Sequence, residues 1–126
     1  MKLDSEKGTV TEAEFCVCES DAFAEHVAAR LRETDCDYAI GMTDGEVTSV
    51  TERAHIEEVC RSSAAPELFG NLFSIGYRIC RPQDGTAVHR TLLRLPGVTS
   101  LVVCNEYGVP QRLLVAAGDR RIAGEN

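Results

Sequence analysis

The chain has 126 residues, a mass of 13.7 kDa, 44% apolar residues and a formal charge of −7. That length suits one domain with one core, and the acidity argues against nucleic acid as the main partner. No apolar run approaches the roughly 20 residues of a membrane-spanning helix. The opening stretch, MKLDSEKGTVTEAEF, is polar and acidic, unlike a signal or transit peptide. A cytoplasmic protein is therefore expected. The charge is unevenly spread. Residues 1–67 hold 6 Lys and Arg against 16 Asp and Glu, a net −10, whereas residues 68–126 hold 7 Arg against 4 acids, a net +3. A basic half on an acidic chain suggests a face for an acidic partner, or simply solvated arginines.

In chain order, residues 1–19 lack sustained periodicity and read as a flexible extension, with one domain over residues 20–126. Ser20 or Asp21 can cap a first helix, in which Phe23, Val27 and Leu31 make one apolar stripe ending near Thr34. Residues 37–50, DYAIGMTDGEVTSV, read as two strands around Asp44-Gly45, a strong hairpin signal because both turn positions need φ > 0. Thr51 can cap a second helix that buries Ile56, Val59 and Cys60 and stops by Pro66. Phe73, Ile75, Tyr77 and Ile79 alternate as one face of a strand over 72–80. Residues 86–95 read as a further strand holding His89, Arg90 and Arg94. Residues 98–104 contain LVVC, the continuous apolar run of a strand buried on both faces. A last helix is expected over about 110–123, with Leu113, Leu114 and Ala117 toward the sheet and Gly118 weakening its end. The helix-hairpin similarity between the two halves is too faint to read as a repeat. The expected class is α/β (α+β): a central antiparallel sheet with helices on both faces, in the order α-β-β-α-β-β-β-α.

Motifs for phosphate-binding loops, dinucleotide binding, zinc proteases and serine hydrolases are absent from the sequence. His26, His55 and His89 fall on three different elements. The pair Glu57-Glu58 lies on a solvated helix face. The reading is a binding module and not an enzyme, with no cofactor. Of the six cysteines, Cys60, Cys80 and Cys104 fit small buried hydrophobes. Cys16-x-Cys18 near His26 resembles half a zinc site but has no second ligand pair at suitable spacing, so no metal is expected.

In this order the chain from about residue 21 onward resembles a divergent profilin. The matching pieces are Phe23 to Leu31, YAIG-MTDGEV, HIEEV, LFSIGYR (Leu72 to Arg78) and SLVVCNEYGVPQRLLVAAGDRR. The resemblance implies a profilin-like antiparallel sheet and a protein that binds monomeric actin, sequesters it and regulates polymerisation and cytoskeleton organisation. By that resemblance the actin-facing residues are Arg78, Arg90, Arg94, Val109, Pro110, Arg112, Ala116 and Arg120. Proline-rich partners such as formins would meet Phe23 and His26. That activity is expected to be weak or absent, because the chain has no Trp, Thr48 stands where a ring is usual and the last helix has no aromatic residue. Phosphoinositides would meet Arg78 and Arg90. Two alternatives stay open: a roadblock-type dimeric scaffold for small GTPases, which shares nearly the same element order, and a thiol or metal protein built on Cys16 and Cys18.

Overall fold

A computed structural model of the chain describes residues 10–116. Along them run β1 (Val10–Ala13), β2 (Phe15–Glu19), α1 (Ala24–Thr34), β3 (Tyr38–Thr43), β4 (Glu46–Glu52), α2 (Arg53–Ser62), a 3₁₀ turn (Phe69–Asn71), β5 (Tyr77–Cys80), α3 (Thr86–Leu93), β6 (Ser100–Cys104) and β7 (Pro110–Ala116). The described residues form a small α+β domain with three α-helices and two mixed sheets, ordered β2-β3-β4 and β1-β7-β6-β5.

Each sheet contains the same unit. β2 and β3 are parallel, so the chain needs a crossover, which α1 supplies; β3 and β4 are antiparallel and joined by a tight turn. Likewise β5 and β6 are parallel around α3, and β6 pairs antiparallel with β7. The registers agree in detail. Phe15 pairs with Tyr38 and Tyr77 with Ser100, the same separation along the chain in both. A register shift follows the fourth residue of β3, between Gly41 and Met42, and the fourth residue of β6, between Val103 and Cys104. The domain is thus a structural repeat of β-α-β-β, with β1 added antiparallel to β7 at the edge of the second sheet.

Sequence chemistry explains the local choices. Asp44 (φ 53) and Gly45 (φ 81) take the left-handed pair of angles that a two-residue hairpin requires. α1 buries Ala24, Val27, Ala28 and Leu31 on one stripe. It ends where Asp35 turns left-handed (φ 55) and Cys36 N donates to Leu31 O at 3.0 Å. β6 is buried along its whole length, as LVVC predicts.

Three apolar layers result. Tyr38, Ile40, Val50, Ile75, Val102, Cys104, Leu113 and Val115 pack the two sheets against each other. Cys16, Cys18, Val27, Leu31, Ile56 and Phe69 fill the space between the first sheet and α1 and α2. Cys80, Leu101, Val103 and Leu114 lie on the outer side of the second sheet, with Leu92 and Leu93 of α3 against them. The segment between the halves is tied down throughout. Phe69 N donates to Ala22 O (2.7 Å), Gly70 N to Ser20 O (2.8 Å), and Ala24 N to Glu67 O (2.8 Å). Further on, Ile75 N donates to Val50 O (2.8 Å) and the Tyr77 hydroxyl to Val47 O (3.1 Å), joining the second half to β4.

Several expectations are corrected. Residues 86–95 hold a helix and not a strand, because the parallel strands β5 and β6 need a crossover between them, and Leu92 and Leu93 of that helix rest on the sheet. Residues 110–116 form β7 and not a helix, since Leu113 and Leu114 are both buried, one in each layer across the sheet. The expected single antiparallel sheet is two mixed sheets. Strands begin at Val10, inside the stretch read as a flexible extension. β5 starts only at Tyr77, leaving Phe73 69% exposed. Cys60 is exposed, and Thr51 lies inside β4 while Glu52 precedes α2 without a side-chain cap. α1 is preceded by Phe23, so neither Ser20 nor Asp21 caps it. The expected turns at Ala117 and Gly118, and Arg120, fall outside the described residues.

Candidate functional site

Parallel strands joined by a crossover leave a crevice at their carboxyl ends, where the loops diverge. In the second half those ends are Ile79 and Cys80 of β5 and Cys104 of β6. A cleft of about 900 Å³ opens there, within the size range of small-molecule sites. Its apolar lining includes Val47, Ile79 and Cys104. One wall is the loop from Arg81 to Gln83, which leads into α3. The other is the β6-β7 turn from Asn105 to Gly108. The first half contributes Gly45, Glu46 and Val47, so the cleft is shared by both repeats. The two hairpin tips meet beside it, since a Cβ on Gly108 would lie 3.5 Å from Gly45 O.

The walls are built by local hydrogen bonds. Asn105 Oδ1 accepts from Tyr107 N (2.9 Å) and Val109 N (3.0 Å), and Gly108 completes the turn with φ 82. Such an Asx-type turn holds the loop without strand pairing. It leaves the Tyr107 side chain 78% exposed at the rim. Across the cleft, Arg81 N donates to Asp84 Oδ2 at 2.9 Å. The polar lining includes Arg81, Glu46, Asn105, Glu106 and Tyr107 beside the apolar residues.

Burial pushes the Cys80 and Cys104 thiols above the ordinary thiol range, so both line the cleft as neutral S–H groups. Burial does the same for Cys36, and for Cys18 it outweighs the opposing influence of Arg30. A raised folded value means that the unfolded chain releases these protons first. The stabilisation is full below the unfolded thiol value of about 8.5 and is lost as pH rises toward the folded values. Urea unfolding is therefore expected to give a free energy that falls steadily from about pH 8 to pH 10. A flat profile would show that the thiols are equally acidic in both states.

The residues singled out from the sequence are scattered. Arg78 lies on β5, Arg90 on α3, Arg94 at the end of α3, Val109 in the β6-β7 turn, and Pro110, Arg112 and Ala116 on β7. Arg112 donates to Glu12 of β1 at 3.0 Å, an exposed ion pair. Phe23 and His26 meet edge to face at 5.9 Å at the start of α1. Cys16 and Cys18 point into the layer under α1 and α2, where Cys16 Sγ donates to Cys36 Sγ at 3.5 Å. Among the described residues no group of three His, Cys, Asp or Glu is placed to hold a metal, and no helix is long and apolar enough to cross a membrane. Sequence reasoning missed the cleft residues Ile79, Arg81, Pro82, Asn105 and Tyr107. Pro82-Gln83-Asp84-Gly85 carries only a turn signal in the sequence.

Two β-α-β-β units packed sheet against sheet, with a crevice between their hairpins and strand ends, define a duplicated α+β module. No protein-family model and no curated protein matches the sequence. Solved structures match the fold. The hemolysin-like protein containing a CBS domain from Oenococcus oeni PSU superposes with a TM-score of 0.64 at 10% identity, over 98% of this chain and 94% of that one. The CBS domain pair of protein MJ0100, in complex with 5′-methylthioadenosine and S-adenosyl-L-methionine, gives a TM-score of 0.60 at 8% identity, over 91% and 95%. CBSX2 in complex with AMP gives 0.55 at 13% identity, over 86% of each chain. The fold is that of a CBS domain pair.

This overturns the profilin resemblance. Monomeric actin, formins and phosphoinositides as partners, control of polymerisation and a cytoskeletal location fall with it. The physical reason lies in two segments. The resemblance needed a strand at 86–95 and a helix from 110, and the chain has a helix and a strand there. The roadblock alternative needs the same single sheet and finds no match among these neighbours.

Proposed function

We propose that this chain is a regulatory binding module, not an enzyme, that takes a small adenosine-containing molecule in the β5-β6 cleft. The observation that carries this reading is the cleft itself: a cavity at the carboxyl ends of two parallel strands, lined by both apolar and polar residues. The MJ0100 pair and CBSX2, which share the fold, were solved with 5′-methylthioadenosine, S-adenosyl-L-methionine and AMP. An adenine ring suits the apolar lining of Val47, Ile79 and Cys104, and ribose hydroxyls suit the Glu46 and Glu106 carboxylates. A ligand seated there touches both repeats, so its binding energy biases how the halves sit against each other. Six free thiols fit a reducing compartment such as the cytoplasm.

Calorimetric titration of the full chain with 5′-methylthioadenosine, S-adenosyl-L-methionine and AMP tests this. At least one is expected to bind with a Kd below about 1 mM, equivalent to roughly −4 kcal/mol or tighter. Ile79→Glu is expected to weaken it at least tenfold, because a carboxylate replaces an apolar lining residue. Ile79 is half exposed, so the variant should keep its fold. No binding by any of the three would end the reading.

A further inference from the structure

The repeat creates two equivalent crevices, one at the ends of β2 and β3 and one at the ends of β5 and β6. By register, Cys18, Glu19, Ser20, Met42 and Thr43 stand where Cys80, Arg81, Pro82, Cys104 and Asn105 stand in the second half. The first crevice is laced shut. Ser20 N donates to Met42 O at 3.0 Å, and Ser20 Oγ shares a 2.6 Å hydrogen bond with Thr43 Oγ1. The connecting segment then crosses the same loop, with Gly70 N on Ser20 O, Phe69 N on Ala22 O, and Leu68 bridged to Phe23. Gly70 passes so close that a Cβ there would lie 2.9 Å from both Ser20 Cβ and Ser20 O.

The second crevice cannot close in this way. Pro82 occupies the place of Ser20, and proline has neither the N–H that would reach Cys104 O nor a hydroxyl. Asn105 occupies the place of Thr43, and its side chain is turned onto its own loop. The strand ends therefore stay apart, and the cleft is found at this end.

We infer that the module is functionally asymmetric: it takes one ligand per chain, in the β5-β6 crevice, and Pro82 is the residue that holds that crevice open. This rests on the adenosine-ligand reading above and adds which of two equivalent places is used and why. Pro82 acts by positioning the strand ends, not by contacting a reacting group.

The test is calorimetry of the parent chain and of Pro82→Ser and Pro82→Ala with the same three compounds. The parent is expected to bind one equivalent. Pro82→Ser, which restores both the N–H and the hydroxyl, is expected to lose at least tenfold in affinity, and Pro82→Ala, which restores the N–H alone, to lose less. Pro82 is exposed, so both variants should fold, and circular dichroism and unfolding curves will confirm it. An N–H exchange measurement on Pro82→Ser adds a second readout: the new amide at position 82 should be protected, as Ser20 N is by Met42 O. Two equivalents per chain, unchanged affinity in Pro82→Ser, or an unprotected amide would overturn the inference while leaving the adenosine reading in place. No binding of any compound would overturn both.

Discussion

Phe69→Ala is expected to destabilise the protein by about 3–5 kcal/mol, the range for removing a buried aromatic ring. Phe69 is fully buried, yet it belongs to no long helix or strand. It comes from the connection between the repeats and packs with Cys16, Cys18, Val27, Leu31 and Ile56 beneath α1 and α2. Its ring lies against Gly41, where an added Cβ would sit 3.0 Å from Phe69 Cε2. The cavity left by alanine is poorly placed to collapse. Phe69 N and Gly70 N fix the backbone to Ala22 and Ser20, and the first sheet is held on its other face by the inter-sheet layer. Typical domains have only 5–15 kcal/mol of stability in total, so this one change removes a large share. Urea denaturation should show a lower midpoint with an unchanged slope. Phe73→Ala is the control. Phe73 is 69% exposed and touches His55 edge to face at 6.2 Å, so its loss should cost less than about 1 kcal/mol. If the two variants unfold alike, Phe69 does not anchor the connecting segment beneath α1 and α2.

The contrast between these two phenylalanines shows where the sequence was legible. Alternation puts Phe73, Ile75, Tyr77 and Ile79 on one strand face, but only Ile75 and Tyr77 are drawn into the inter-sheet layer. Phe69 carries no periodic signal because its burial depends on a connection laid across the first half. The features that were legible are local. Asp44-Gly45 demands its turn, Val27 and Leu31 make their stripe, and LVVC is apolar enough to be covered on both faces. The misread elements are those in which tertiary pairing overrides propensity. In β7, Leu113, Leu114 and Ala116 are good helix formers, but β6 and β1 flank that segment on both edges and hold it extended. In α3, Thr86, Val88 and Thr91 are β-branched, but a crossover between parallel β5 and β6 needs a helix there.

The site was harder to read for a related reason. Its parts are the ends of β5 and β6 and the tip of the β3-β4 hairpin, far apart in sequence and joined only by the duplication. The duplication leaves few common residues. The Asp44-Gly45 turn has two residues, whereas the equivalent turn runs from Asn105 to Val109 and closes through an Asn side chain. What is shared is register: the same parallel separation and the same shift after the fourth residue of β3 and β6.

Gly76→Ala is expected to cost at least about 4 kcal/mol, at the far end of single-residue effects. The reason is backbone and not side-chain contact. A Cβ at position 76 would run into the carbonyl of Gly97, and its carbon as well, far inside contact distance. Neither partner can step aside. Gly76 O accepts Thr99 N (3.0 Å) and Ser100 N (3.1 Å), with the hydroxyls of Thr99 (3.3 Å) and Ser100 (3.0 Å) also directed at it. Gly97 sits in a turn with φ 79, closed by Val98 N on Leu95 O. Separating the two chains therefore breaks the hydrogen bonds that set where β5 begins against β6. Ser100 is fully buried, so its hydroxyl would lose its partner without gaining water. The damage reaches the cleft, because the Tyr77-Ser100 pairing that follows Gly76 determines how Ile79 and Cys80 face Cys104. Gly76→Ala should thus show both a much lower urea midpoint and, in any fraction that stays folded, loss of ligand binding. An alanine variant within about 1 kcal/mol of the parent would mean that the 76–97 approach is free to open, and that the register of β5 is set elsewhere.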